Sequence, residues 1–198
     1  SGSGKTTTAL AALRLIEPTS GRVFLEGRDV TALSHRDLRP LRRRAQLVHQ
    51  DPYAALDSRL RSHDAVAEGL RIHGLAPSRQ VERELVCRAL EKVGLTPVET
   101  FAARYPHQLS GGQRQRVAIA GSLVLEPALL VADEPVSMLD VSVRAGILDL
   151  LDRLRKDEGV GILMITHDLA TAAHVARSWV IMRMPTPSSL RRRSSRSS

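Results

Sequence analysis

Three short stretches carry residue types whose spacing suits phosphate chemistry. The first is SGSGKTT at residues 1–7. Ser1 to Thr6 match the last six positions of the pattern G-x-x-x-x-G-K-T/S; its leading glycine and the next residue are absent. Small residues let backbone N–H groups turn inward onto phosphate oxygens, and Gly2 and Gly4 permit that backbone among Ser1, Ser3 and Lys5. Lys5 places a cation on β and γ phosphates, Thr6 offers a hydroxyl to Mg²⁺, and a helix from Thr7 onward points its positive end at the anion. The second stretch is LLVADE, an apolar run that delivers Asp133 and Glu134. Asp133 suits Mg²⁺ held through a water shell, and Glu134 suits a general base that polarises an attacking water. The third is LSGGQRQR, where Ser110, Gly111 and Gly112 open a helix and expose free N–H groups to an anion. Each stretch alone has a plainer reading: a flexible Gly-Ser end, a strand ending in two solvated acids, a capped helix after a glycine turn. Two anion-binding helix starts in one chain are unusual.

The elements that must position these residues can be read from the pattern. A helix follows Lys5, and a short strand lies in GRVFLEG with Val23 and Leu25 alternating against polar neighbours. RRAQLVHQ is a further strand, whose apolar run ends at Gln50 before Asp51-Pro52 interrupts regular structure. From about residue 60 to 109 the chain reads as helical. Ser78 caps RQVERELVCRALEKV, Val81, Leu85 and Val93 fall near one face, and Gly94 ends it. ALLVADE and VGILMITHD are buried strands, separated by an amphipathic helix with Val143, Ile147, Leu150, Leu151 and Leu154 in its stripe and Gly159 as its stop. DLATAAHVARS reads as a helix and WVIMRM as a last strand. Fully apolar strands alternating with helices predict a parallel sheet covered on both faces, with ligands bound outside the carboxyl ends of its strands.

The chain has 198 residues and a 42% hydrophobic fraction, ordinary for one globular domain. No stretch approaches the roughly 20 apolar residues of a membrane span, and nothing reads as a signal peptide. One cysteine, Cys87, excludes a disulfide within the chain and reads as packing. The net charge of +8 invites a nucleic-acid reading, but four of those charges are Arg191, Arg192, Arg193 and Arg196 in the low-complexity tail. The remaining basic residues are dispersed, apart from Arg39, Arg42, Arg43 and Arg44, and aromatic residues are only 3%, too few for base stacking. Membrane proximity accounts for such a surface as well as DNA does.

LSGGQ resembles the signature of the ABC ATPases, and further family motifs follow in order. Gln50 in LVHQDPY is similar to the Q-loop glutamine, Ser137 to Asp140 (SMLD) to the D-loop, and His167 in ITHD to the switch histidine. The resemblance covers roughly residues 1–182. It narrows to the ATPases of oligopeptide, dipeptide and nickel importers through HQDPYAALDSRL, ADEPVSMLDVSVRAGILDLL and ITHDLATAAHVA. It implies an α/β P-loop NTPase fold with a mostly parallel sheet and a helical subdomain at about 60–125. The ATPase domain would span 1–184, and 185–198 would be a disordered Arg/Ser-rich tail.

The resemblance also implies a mechanism. Two subunits sandwich ATP. Ser1, Gly2, Ser3, Gly4, Lys5, Thr6 and Thr7 of one bind the nucleotide, Thr6, Gln50 and Asp133 hold Mg²⁺, and Glu134, Gln50 and His167 serve catalysis. Ser110, Gly111, Gly112 and Gln113 of the other close the site over the γ phosphate, and Asp140 of the D-loop also binds the nucleotide. Expected partners are a second ABC ATPase subunit, integral membrane permease subunits and, indirectly, an extracytoplasmic solute-binding protein. Nucleic acid is not expected. The chain would lie on the cytoplasmic face of the membrane and drive import of peptides or a related small solute, nickel included.

The sequence departs from the family at both ends. A strand feeding the phosphate loop and an adenine-stacking aromatic residue are expected before Ser1, and a hairpin is expected where MRMPTPSSLRRRSSRSS stands. Without that strand, neighbouring strand edges would be exposed. A frameshifted or fragmentary reading frame would explain both ends, and a truncated, non-catalytic piece is the alternative function. His49 stands where relatives carry phenylalanine, and Gly121-Ser122 where Arg-Ala is usual. DNA-repair ATPases share the motifs but insert a heptad-patterned coiled coil between the halves, and the stretch from Gln50 to Ser110 is short and lacks heptads.

Overall fold

A computed structural model describes residues 4–166 and 180–182. The expected helix at DLATAAHVARS and the tail lie outside these residues. Helix α1 (Lys5–Ala12) comes first, followed by the two-residue strands β1 (Phe24–Leu25) and β2 (Arg28–Asp29). They pair antiparallel through Glu26 and Gly27, both at positive φ, which is the backbone that tight hairpin turns require. The strand expected in GRVFLEG is therefore half of a hairpin, and its partner has too little apolar character to be seen in the pattern. Helix α2 (His35–Arg42) is also absent from the sequence reading, because Pro40 interrupts its pattern. Ser34 starts it by accepting from the Asp37 amide at 3.3 Å.

Strand β3 (Ala45–Val48) then enters the sheet, and Asp51 caps the four-residue α3 (Pro52–Ala55). Asp51-Pro52 thus starts a turn of helix as well as ending the strand. Four helices follow: α4 (Ser62–His73), α5 (Arg79–Lys92), α6 (Val98–Ala102) and α7 (Gly111–Leu123). Val66, Ala67 and Leu70 of α4 share a core with Val86, Ala89 and Leu90 of α5 and with Val117, Ile119 and Ala120 of α7. The buried face of α5 is Val86, Ala89, Leu90 and Val93, while Val81 and Leu85 are half-buried, so the face is rotated from the sequence reading. Ser78 caps α5 by accepting from Val81 N, and Gly94 at φ +73 follows its end.

Strand β4 (Leu129–Asp133), helix α8 (Val141–Asp157), strand β5 (Gly161–Ile165) and strand β6 (Val180–Met182) complete the described elements. The sheet order is β3-β4-β5-β6 and every pair is parallel. Alternation along β4 and β5 assigns the two faces. Val131 and Ile165 pack under Ala9 and Leu13 of α1, while Leu130, Ala132, Ile162 and Met164 join the large core with α7 and α8. Burying both faces explains why these strands lack polar alternation. It also brings the start of α1 to the carboxyl end of β4.

Candidate functional site

Gly4 begins the site. Its φ of +77 is the left-handed conformation at the N-cap of α1, and its carbonyl accepts from both the amide and the hydroxyl of Thr8, each at 2.8 Å. The amides of Lys5, Thr6 and Thr7 have no carbonyl within the helix to bond, which leaves them for an anion. Thr6 and Thr7 are exposed there. Residues 1–3 lie outside the described part of the structure.

Thr6 Oγ1 donates to Asp133 Oδ2 at 2.7 Å. Asp133 is the last residue of β4 and is 5% exposed. A hydroxyl and a carboxylate side by side are hard oxygen ligands, the kind Mg²⁺ takes one or two of while keeping waters and phosphate oxygens. Among the described residues no cluster of three or more His, Cys, Asp or Glu exists. These donors therefore fit an ion shared with phosphates better than one caged by protein.

Glu134 follows at φ +48, a left-handed backbone that costs an ordinary residue about 1–3 kcal/mol and persists only where neighbours enforce it. The enforcing bonds are visible. Glu134 N donates to Ile165 O at 2.9 Å, and its carbonyl accepts from Ser137 N at 3.1 Å and Ser137 Oγ at 3.0 Å. The kink turns the carboxylate away from the strand line, where Gln50 Nε2 donates to Glu134 Oε2 at 3.2 Å. Thr6, Gln50, Asp133 and Glu134 thus meet at the carboxyl ends of β3 and β4. His167, one residue beyond the buried Thr166 that follows β5, lies outside the described residues.

The signature residues form a separate cluster. Ser110 caps α7 by accepting from Gln113 N at 3.3 Å, and Gln113 Oε1 accepts from Ser110 N at 3.0 Å. The side-chain bonds of Ser110 and Gln113 close on each other and reach none of the four residues above. Gly112 is buried, and a Cβ on it would lie 2.4 Å from Val143 Cγ1. Asp140 stands exposed at the start of α8, its carbonyl accepting from Val143 N and Arg144 N while its side chain makes no capping bond.

One contact between motif-flanking residues was not foreseen from the sequence. The ring of Tyr53 lies over the Arg114 guanidinium, 4.1 Å from its centroid, and Arg114 Nε donates to Pro106 O at 2.6 Å. This contact ties the segment after Gln50 to the helix headed by Ser110. Their pairing has no local signal, because the contact joins distant parts of the chain.

The ABC transporter family model matches residues 1–137. The chain is 46% identical over 182 residues to a probable peptide ABC transporter ATP-binding protein of Sinorhizobium fredii, covering 92% of this chain and 51% of that protein. It is 45% identical over 182 residues to the glutathione import ATP-binding protein GsiA of Escherichia coli, covering 92% of this chain and 29% of that one. The chain thus spans about half of one relative's length and less than a third of the other's. Among solved structures, a dimeric ATP-binding cassette in a post-hydrolysis state with ADP and Pi is similar, with a TM-score of 0.75 and 33% identity over 86% of this chain and 73% of that one. So is cbiO1 of Clostridium perfringens, described as part of the ABC transporter complex cbiONQ, with a TM-score of 0.73 and 33% identity over 84% of this chain and 64% of that one.

Proposed function

This chain belongs to the ABC transporter family of ATP-binding proteins, and from that premise we propose that it is the ATP-hydrolysing part of an importer for peptides or a related small solute. The observation that carries the reading is the meeting of Thr6 with Asp133 beside the Gln50–Glu134 pair. It supplies phosphate-binding amides, hard oxygen donors and a candidate base at one strand edge. The solute class rests on the peptide and glutathione relatives.

In this proposal the amides that open α1, with Lys5, bind the β and γ phosphates of ATP. Ser1, Gly2, Ser3, Gly4 and Thr7 complete the loop. Thr6, Gln50 and Asp133 would hold Mg²⁺, which would supply positive charge beside the phosphate oxygens. Glu134 accepts a proton from water as the water oxygen bonds the γ phosphorus and the bond to the β-bridging oxygen breaks. Gln50 fixes the carboxylate that takes this proton. His167 contacts the γ phosphate. Ser110, Gly111, Gly112 and Gln113 of a second ATPase subunit close on the same phosphate, and Asp140 lies at that interface. Positioning and charge do most of the work, because phosphoryl transfer needs little covalent help from protein.

The helices between residues 60 and 125 act as a subdomain that passes closure to integral membrane permease subunits, fed by an extracytoplasmic solute-binding protein. Among the described residues no helix is long and apolar enough to cross a membrane, so the permease would hold the chain at the cytoplasmic face. The test is ATP hydrolysis by the full-length protein with its permease in liposomes, with and without oligopeptide, glutathione or Ni²⁺ presented by the binding protein. Stimulation by peptide or glutathione, abolished by Glu134→Gln, supports the reading. Stimulation by Ni²⁺ alone would overturn the solute class, and hydrolysis untouched by Glu134→Gln would overturn the mechanism.

A further inference from the structure

The arginine-rich run at residues 36–44 has no part in the nucleotide site, and the fold divides it in two. Arg42 donates to the Arg14 carbonyl at 3.0 Å and lies against His35. Arg44 pairs with Glu26 at 2.9 Å and donates to the Glu126 carbonyl at 2.8 Å. Arg42 thus holds the turn after α1, and Arg44 holds the hairpin and the loop before β4. Arg36, Arg39 and Arg43 recur at i, i+3 and i+7, which places them on one face of α2 and its helical extension. Among the described residues none of the three has a carboxylate partner.

A second element joins this face. Arg39 donates to the Ile72 carbonyl, one of the unpaired carbonyls in the last turn of α4. Ile72 itself is 53% exposed. Beside it, the His73 imidazole is held below its ordinary range by burial and then by Arg39 and Arg43, as expected where their charges converge. The carboxylates on these two elements form no ion pair with Arg36, Arg39 or Arg43. Asp37 is engaged by the Ser34 hydroxyl at 2.6 Å, and Glu68, a turn earlier on α4, bonds none of the three arginines.

Three guanidiniums without carboxylate partners lie along one helical face, one of them bonded beside the exposed Ile72, and together they attract an anionic surface. Guanidinium forks suit phosphate oxygens. The patch offers no aromatic platform for bases, whereas an apolar side chain among cations suits the boundary between headgroups and acyl chains. The geometry points to Arg36, Arg39, Arg43 and Ile72 as a docking surface for the anionic phospholipids of the membrane that holds the permease. This rests on the reading that the chain works beneath a permease. The contact would hold the ATPase flat against the bilayer and would weaken as salt rises.

The test is flotation of the full-length protein with vesicles of phosphatidylcholine alone or mixed with phosphatidylglycerol, with ATP hydrolysis measured in parallel. Binding is expected only with phosphatidylglycerol, about fivefold weaker for each arginine changed to glutamine. Arg36→Gln combined with Arg43→Gln spares the Arg39–Ile72 bond and is expected to lose binding on the order of 25-fold with hydrolysis unchanged. Arg79→Gln with Arg83→Gln on α5, the matched loss of charge, is expected to change neither. Vesicle binding unaffected by the stripe variants, equal losses in the α5 control, or tighter binding to duplex DNA than to phosphatidylglycerol vesicles would overturn the proposal. Absent vesicle binding with intact hydrolysis would sink this inference alone, whereas absent hydrolysis in the unmodified protein would sink the function on which it rests.

Discussion

Thr6 and Asp133 are separated by 127 positions in the sequence and meet through a 2.7 Å hydrogen bond, because α1 packs across β4 and β5 and lays its first turn over the carboxyl end of the sheet. Asp133→Asn replaces a charged acceptor with a neutral amide. ATP hydrolysis is expected to fall on the order of 100-fold or more, and the Mg²⁺ concentration for half-maximal activity to rise. A magnesium titration of both proteins checks this, and superimposable curves would contradict the pairing of these residues around the ion.

Glu134 should separate binding from turnover. Its carboxylate is held by a left-handed backbone and by Gln50, so Glu134→Gln keeps the shape and loses the proposed base. Turnover is expected to drop on the order of 10²–10⁴-fold while ATP affinity stays near that of the parent. Fluorescent-nucleotide binding measured beside phosphate release tests the separation; a parallel fall in both would assign Glu134 to binding.

Two substitutions distinguish the cap that Ser110 makes on α7 from the task proposed for it at a partner's nucleotide. Ser110→Ala and Ser110→Arg both remove the cap of α7, costing about 1 kcal/mol of stability. Only Ser110→Arg is expected to abolish turnover, by blocking closure of a second subunit, with ATP affinity of the isolated subunit unchanged. Equal turnover in the two variants would argue against closure of this turn over a partner's nucleotide.

Gly112 is required by packing as well as by anion chemistry. A methyl group there would meet Val143 Cγ1 at 2.4 Å, far inside contact distance, so Gly112→Ala is expected to destabilise by about 1–3 kcal/mol. Val143→Ala in the same chain makes room and should recover part of that loss. Urea denaturation of the two singles and the double measures the coupling; strict additivity would show that the clash is relieved elsewhere.

Arg71 links α4 and α5 by donating to Glu82 at 2.6 Å and Asp64 at 2.9 Å. Its hydrogen bonds hold both carboxyls below their ordinary values of 4.5 and 3.8. Depressed carboxylates contribute stability that is fully present above those values and is lost as pH falls through the folded ones. Arg71→Gln is expected to cost a few tenths to about 1 kcal/mol at neutral pH, since the bridge is partly exposed, and the deficit should vanish in acid. Urea denaturation at pH 7 and near pH 3 checks the sign, and a deficit that grows in acid would refute it.

The strands and most helices were legible because burial on two sheet faces or one helix face leaves a period in the residues themselves. Leu129 to Asp133 reads as a fully covered strand, Ile147, Leu150, Leu151 and Leu154 as one face of α8, and Ser78 as a cap, all from local spacing. The chemical identities of Lys5, Thr6, Asp133, Glu134 and the LSGGQ turn were equally local. Helix α2 and the partner strand of the hairpin escaped, one masked by Pro40, the other held by turn geometry more than by apolar content. Only the tertiary structure decided which of these residues meet. It joined Thr6 to Asp133 and Gln50 to Glu134, gave Glu134 its left-handed backbone, set Tyr53 on Arg114, and split the arginine run into bonded and unneutralised halves. Periodicity reports that a face is buried, but the identity of what covers it depends on chain crossings whose contacts leave no mark at either residue's own position.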